Sequence, residues 1–219
     1  MSPTPKPAAA PAVAAANLNF AEAFTTESAA ALAARAKAAD LGVPAISSGT
    51  AAVLTFLTAT LKARSAVEVG TGTGVSAVAL LAGMAPEGVL TSIDNEPELQ
   101  FEARAVLTDA GIPQRRARLI AGEALTVLPK LTDGAYDLVF LNGDPLEYVE
   151  YVDQAVPLLR PGGILVLHHA LWQGKVADAG NEEDEPIIIR EALDAITALD
   201  GFATALLPIG DGLVISVRP

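Results

Sequence analysis

Two segments of this 219-residue chain have residue types and spacings suited to chemistry. The first is Val67-Glu68-Val69-Gly70-Thr71-Gly72-Thr73-Gly74-Val75-Ser76. Three glycines at alternate positions let the backbone turn tightly at a strand end and come close to a ligand. The helix that follows offers free N–H groups to an anionic group. Gly72-Thr73-Gly74-Val75-Ser76-Ala77 also satisfies the loose GxGxxA form of the dinucleotide fingerprint. Glu68 stands two residues before the first glycine, where a dinucleotide-binding strand is ordinarily apolar; a structural carboxylate satisfied by local amides is the plainer reading. Asp94 follows Gly74 by 20 residues, and a carboxylate there can accept both hydroxyls of an adenosine ribose. These residues point to an adenosine-containing ligand, without choosing between a nicotinamide dinucleotide and S-adenosylmethionine.

The second segment holds His168 and His169, the only histidines in the chain. Either could be a general base, since an unperturbed pKa near ~6.5 suits proton abstraction at neutral pH. They could instead bind a softer metal such as Zn or Fe, or simply be satisfied polar residues at a strand end. Adjacent strand residues face opposite ways, so both reach one site only if the strand ends there. Asp144 is a candidate to orient a histidine or contact substrate, and equally a cap for a helix beginning near Leu146. Trp172 reads as a pocket wall or as core packing.

These residues must be positioned by alternating strands and helices. Apolar runs bounded by Gly, Asp or Asn predict buried parallel strands at Ala66–Val69, Val89–Ile93, Leu119–Ala121, Leu138–Leu141 and Ile164–Leu167. Helices are predicted between them at Val75–Met84, Pro97–Ala110, Ala124–Leu131 and Glu147–Leu159, which makes a doubly wound sheet. Two helices, Phe20–Asp40 and Thr50–Lys62, precede the first strand. Gln173 to Pro186 is polar and predicted as a loop, a candidate lid, followed by a helix at Ile187–Leu199. Phe202–Leu207 and Leu213–Val217, joined by a short Gly-rich link, demand an antiparallel hairpin. Residues 1–18 are Pro- and Ala-rich and read as a flexible tail. Their prolines break up any export-signal helix. Residues 19–219 then form one domain, with N-terminal helices at 19–63 and the core at 64–219.

Composition narrows the function. No apolar run is long enough to span a membrane, and the absence of cysteine excludes thiolate chemistry. The net charge of −12 disfavours a nucleic-acid partner, and Arg115, Arg116 and Arg118 form the only basic cluster. A small-molecule acceptor, a cytoplasmic setting and a homodimer are expected.

Taken in order, five motifs are closely similar to the catechol-type O-methyltransferase family of class I S-adenosylmethionine-dependent enzymes. They are Val67 to Ser76, Leu90 to Asp94, Tyr136 to Leu141, Leu158 to Gly163 and Leu207 to Leu213. The resemblance implies a Rossmann-like α/β fold with seven strands in the order 3-2-1-4-5-7-6, strand seven antiparallel. It implies S-adenosylmethionine as cofactor and S-adenosylhomocysteine as product. Carried over by position, it puts Glu68, Gly70, Gly72 and Ser76 around the cofactor's methionine part, with Ile46 and Ser47 closing over that end. Asp94 falls on the ribose, Gly122, Glu123 and Ala124 beside the adenine, and Asn142 at the far edge of the cofactor site. Ser48 or Thr50 could instead simply cap the second helix.

The sequence departs from the family where metal-dependent members hold Mg²⁺. Asn142 stands at a metal Asp, Pro145 at a Lys, and His168-His169 at an Asp-Asn pair. One amide and two imidazoles make a poor Mg²⁺ site. The expected activity is metal-free O-methylation of a small-molecule hydroxyl, with His168 slightly favoured as base. The rivals are a nicotinamide-dependent oxidoreductase, for which no Tyr-x-x-x-Lys pair is present, and a non-catalytic protein that only binds the cofactor.

Overall fold

The computed structural model describes residues 10–219. The expected tail lies outside the described residues up to residue 9; from Ala10 the chain is helical rather than irregular. The single helix expected at Phe20–Asp40 is two helices, α1 (Ala10–Glu22) and α2 (Ala29–Leu41). The break has a local cause. Ser28 has extended backbone and its side chain accepts the Ala31 N–H, so α2 starts afresh on its own cap.

The rest follows the alternating pattern: α3 (Ser48–Leu61), β1 (Ser65–Val69), α4 (Val75–Gly83), β2 (Val89–Asp94), α5 (Pro97–Asp109), β3 (Ala117–Ala121), α6 (Ala124–Val127), β4 (Tyr136–Leu141), α7 (Tyr148–Leu158), β5 (Leu159–His168), α8 (Asp184–Thr197), β6 (Ala203–Leu207) and β7 (Leu213–Val217). The seven strands form one sheet in the order β3-β2-β1-β4-β5-β7-β6. Neighbours from β3 through β5 run parallel, while β7 runs antiparallel to both β5 and β6. This is the topology the motifs implied, and the terminal hairpin is where it was expected.

Every residue of β4 is buried, as a strand covered on both faces must be. Leu138 and Phe140 face one apolar layer with Leu54, Leu80 and Leu90; Val139 and Leu141 face the other with Tyr148 and Leu165. Asp137 opens this strand and ties it to β1, accepting the N–H groups of Arg64 (2.7 Å) and Ser65 (3.0 Å) and the Arg160 guanidinium (2.6 Å). Burial alone would raise its pKa, but these donors and the Arg160 charge hold it below the usual carboxylate value. β1 and β4 are thereby locked in register, and the loops that follow them are brought side by side.

The expected lid is shorter than Gln173–Pro186, because α8 already begins at Asp184. The acidic residues Asp184 and Glu185 lie in its first turn, where the helix dipole favours them. The segment before it is pinned: Lys175 pairs with Glu183 at 2.6 Å, and Arg190 donates to the Asn181 carbonyl at 2.7 Å. The basic cluster also has a structural use, since Arg116 donates to the carbonyls of Leu81, Ala85 and Gly88. Among the described residues no helix is long and apolar enough to cross a membrane.

Candidate active site

The C-terminal ends of β1, β2, β4 and β5 open onto one continuous cleft. At one end it is lined by Asp94, Asn95, Gly122, Glu123 and Ala124. It passes Gly70 to a middle stretch with Ile46, Thr71, Gly72, Ser76 and Asn142. The far end is walled by Pro145, His169 and Trp172. The middle and far stretches share Ile46 and Asn142, so Asn142 stands at the junction between them.

The Gly-rich turn is held on three sides. Thr73 donates its hydroxyl to the Ala34 carbonyl of α2 at 2.8 Å, and Gly70 N–H bonds the Ile93 carbonyl at 2.8 Å. Gly70 has φ +89°, and a Cβ there would collide with the main-chain carbonyl of Asn142. Only glycine permits that close crossing of the loops after β1 and β4. Asp94 accepts the Gly72 N–H through Oδ2 at 2.8 Å and the Glu96 N–H through Oδ1 at 2.9 Å. It therefore fixes the turn from the side of the cleft and keeps lone pairs for a ligand.

Glu68 lies beneath the turn, fully buried, and is not part of the cleft wall. It reaches the turn through its neighbours and stays a candidate for the methionine end through its unpartnered oxygen. Ser92 donates to its Oε2 at 2.5 Å, the Thr71 hydroxyl lies 2.6 Å from that of Ser92, and Gln100 donates to Thr71 at 2.9 Å. Burial pushes its pKa up to about 7, against the Ser76 and Ser92 hydroxyls and with the help of the Asp94 charge. Its second oxygen, Oε1, is buried without a protein partner. The cap of α3 is Ser47, which accepts the Thr50 N–H at 3.0 Å, and not Ser48 or Thr50 as expected.

The two histidines have parted roles. β5 ends at His168, and His169 has φ +56°, so the chain turns out of the strand between them. His168 is buried, with Nδ1 2.7 Å from the Asn142 side-chain oxygen and Nε2 without a partner. Burial, and then the neighbouring His169, push its pKa down to about 3. His168 is thus held in the interior behind Asn142, which favours His169 as the candidate base. His169 is the one that lines the cleft. Its Nδ1 lies 3.0 Å from Asp211 Oδ2, and the Trp172 ring meets it edge-on at 5.5 Å between centroids.

Of the two readings of Asp144, its contacts support the cap. Its Oδ1 accepts the Leu146 N–H at 3.0 Å, which caps the turn Pro145–Glu147, and it faces the Asp94 end of the cleft rather than the histidines. The carboxylate that orients a histidine is Asp211, which the sequence reading missed. Its only sequence signal was the Gly210-Asp211-Gly212 link of the hairpin. Tyr151 and Glu147, hydrogen-bonded at 2.5 Å, also line the Asp94 end and were not foreseen.

The donors near β4 and β5 do not fit Mg²⁺, which prefers anionic and carbonyl oxygens. Asn142 and His168 are engaged with each other, and His169 with Asp211. Among the described residues no three His, Asp or Glu side chains gather at metal-binding spacing.

A seven-stranded sheet with this crossover order, a Gly-rich turn and a carboxylate at the end of β2 define the class I S-adenosylmethionine-dependent methyltransferase fold. The comparisons with known proteins go further. The sequence profile of the O-methyltransferase family matches residues 25–219, and the chain belongs to that family. A relative from Mycobacterium avium (strain 104), named "Putative O-methyltransferase", is 43% identical over 198 residues, which cover 90% of this chain and 89% of the relative. A crystal structure of a Corynebacterium glutamicum protein is 34% identical with a TM-score of 0.86, covering 94% of this chain and 97% of the other. The O-methyltransferase TomG of Streptomyces achromogenes, crystallised with S-adenosylmethionine, shares the fold at a TM-score of 0.83 and 23% identity, covering 93% and 96% of the two chains.

Proposed function

We propose that the chain transfers a methyl group from S-adenosylmethionine to a hydroxyl oxygen of a small molecule, without Mg²⁺, using His169 as general base. The observation that carries this reading is the His169–Asp211 pair in the wall of the cleft, where metal-dependent relatives would need anionic ligands. When bound, S-adenosylmethionine supplies an electrophilic methyl group on a sulfonium centre.

The residues present fit that group. Asp94 retains lone pairs for the ribose hydroxyls, with Gly122, Glu123 and Ala124 beside the adenine. At the other end the orphaned Glu68 Oε1, beneath Ser76 and the turn, suits the methionyl ammonium. Ile46 closes that end over Gly70 and Gly72.

Acceptor binding beside Trp172 brings its hydroxyl towards His169. With Nδ1–H donated to Asp211, Nε2 holds the lone pair, and it accepts the hydroxyl proton as the oxygen takes up the methyl group. Asp211 then stabilises the imidazolium. Holding the two reactants in line supplies the remainder of the rate, so a metal is not needed to position them. A homodimer in the cytoplasm is part of the same proposal.

Calorimetry distinguishes this reading from a nicotinamide enzyme. S-adenosylhomocysteine should bind with a clear saturable heat and NAD should not. Tighter binding of NAD would contradict the cofactor assignment.

A further inference from the structure

We infer that Glu22, the last residue of α1, is a positioning residue for the His169–Asp211 pair. This rests on the proposal that His169 is the base, and extends the site to a helix that lies outside the sheet and its crossovers.

Glu22 is half-buried, and both of its carboxylate oxygens hold backbone amides. Oε1 accepts the Gly210 N–H at 2.5 Å and Oε2 accepts the Gly49 N–H at 2.8 Å. Its main-chain carbonyl accepts the Ser48 hydroxyl at 2.7 Å. One residue thus joins α1, the first turn of α3 and the link between β6 and β7. The fit depends on two missing side chains. A Cβ on Gly49 would collide with the Glu22 carboxylate and with Ile209. Gly210 has φ +59°, and a Cβ there would collide with the Thr50 hydroxyl.

Gly210 is bonded directly to Asp211, so an anchor on its amide limits where Asp211 can stand. Asp211 also sits in a turn closed by the Gly212 N–H on the Ile209 carbonyl at 3.0 Å, and it is held from the far side. Its carbonyl accepts the Leu171 N–H at 2.9 Å and its Oδ1 accepts the Gln173 N–H at 2.6 Å. Those contacts come from the same segment as His169 and move with it. Glu22 supplies the fixed point from the body of the protein. Hydrogen bonds from amides to a carboxylate belong to the stronger class, and two of them on one group resist displacement of the link. Without them the Gly210 side of the link loses its tie to α1 and α3, and Asp211 Oδ2 selects less strongly the His169 form with its proton on Nδ1.

The chain has two histidines, which makes the test direct. The full-length protein is labelled with ¹⁵N-histidine and studied with S-adenosylhomocysteine present, at about pH 9, above the ordinary imidazole range of ~6.5. The His169 signals are assigned by their loss in His169→Gln. Wild-type protein should show His169 as the Nδ1–H tautomer. In Glu22→Ala the share of that tautomer should fall by about half or more, in favour of Nε2–H. Glu22→Gln, which keeps one acceptor oxygen, should fall between the two and decides the matter if the alanine variant does not fold. Melting temperatures recorded alongside separate a merely structural tie. Wild-type His169 signals in both variants, even with lowered melting temperatures, would overturn the inference while leaving His169 as base. An Nε2–H tautomer in the wild type would overturn the proposed orientation of the base and this inference with it.

Discussion

His169→Ala is expected to slow methyl transfer by roughly 10²–10⁴-fold, the usual contribution of a positioned general base. His169 lies in the wall of the cleft and turns Nδ1 to Asp211 at 3.0 Å, which leaves Nε2 for the acceptor proton. The effect should fall on the chemical step. Single-turnover rates with saturating S-adenosylmethionine, measured on any member of a panel of phenols, catechols and aliphatic alcohols that is turned over, isolate that step. Affinity for S-adenosylhomocysteine should hardly change, because the adenosine end of the cleft is built from Asp94 and the loop after β3. Substitution of His168 should act differently, through stability, because its ring is buried and bonded to Asn142. A His169→Ala enzyme with nearly full rate would remove the residue from the mechanism.

Asp94→Ala should weaken S-adenosylhomocysteine binding by about 1.5–3 kcal/mol, or roughly tenfold to more than a hundredfold, the range for hydrogen bonds to a charged group. A carboxylate has about four lone-pair positions. The Gly72 and Glu96 amides occupy one on each oxygen, which leaves one on each for the two ribose hydroxyls. Part of the loss would come from the turn itself, since removal of Asp94 also frees Gly72. Asp94→Asn separates the two effects: it keeps one acceptor oxygen but presents an NH₂ to either an amide or a hydroxyl, so its affinity should lie between wild type and alanine. Unchanged affinity in Asp94→Ala would place the ribose elsewhere.

The sheet was legible because its causes are local. The run Leu138 to Leu141 is apolar on both faces and lies in the fully buried β4, and the short Gly-rich link before Leu213 left only an antiparallel hairpin. The meeting of the Gly-rich turn and Asp94 was legible for the same reason, since they sit at fixed distances along one strand–helix–strand unit. What escaped depends on contacts between distant segments. Asp211 is 42 residues from His169, and Glu22 is 188 residues from Gly210. Neither spacing has a signature. The contrast between His168 and His169 was likewise out of reach, because one positive φ at the end of β5 decides which ring is buried. The break before Ser28 was missed because an Ala-rich stretch reads as continuous helix, and the cap that restarts it is a single hydroxyl.

In the proposed reaction the His169–Asp211 pair serves methyl transfer without Mg²⁺. The most direct test is turnover on the same hydroxyl panel in excess EDTA, followed by return of Mg²⁺, with the methylated product detected by mass spectrometry. Full activity in EDTA, with no stimulation on adding Mg²⁺, is the result expected from Asn142 engaged with His168 and His169 engaged with Asp211. Loss of turnover on chelation, restored by Mg²⁺ alone, would contradict the account.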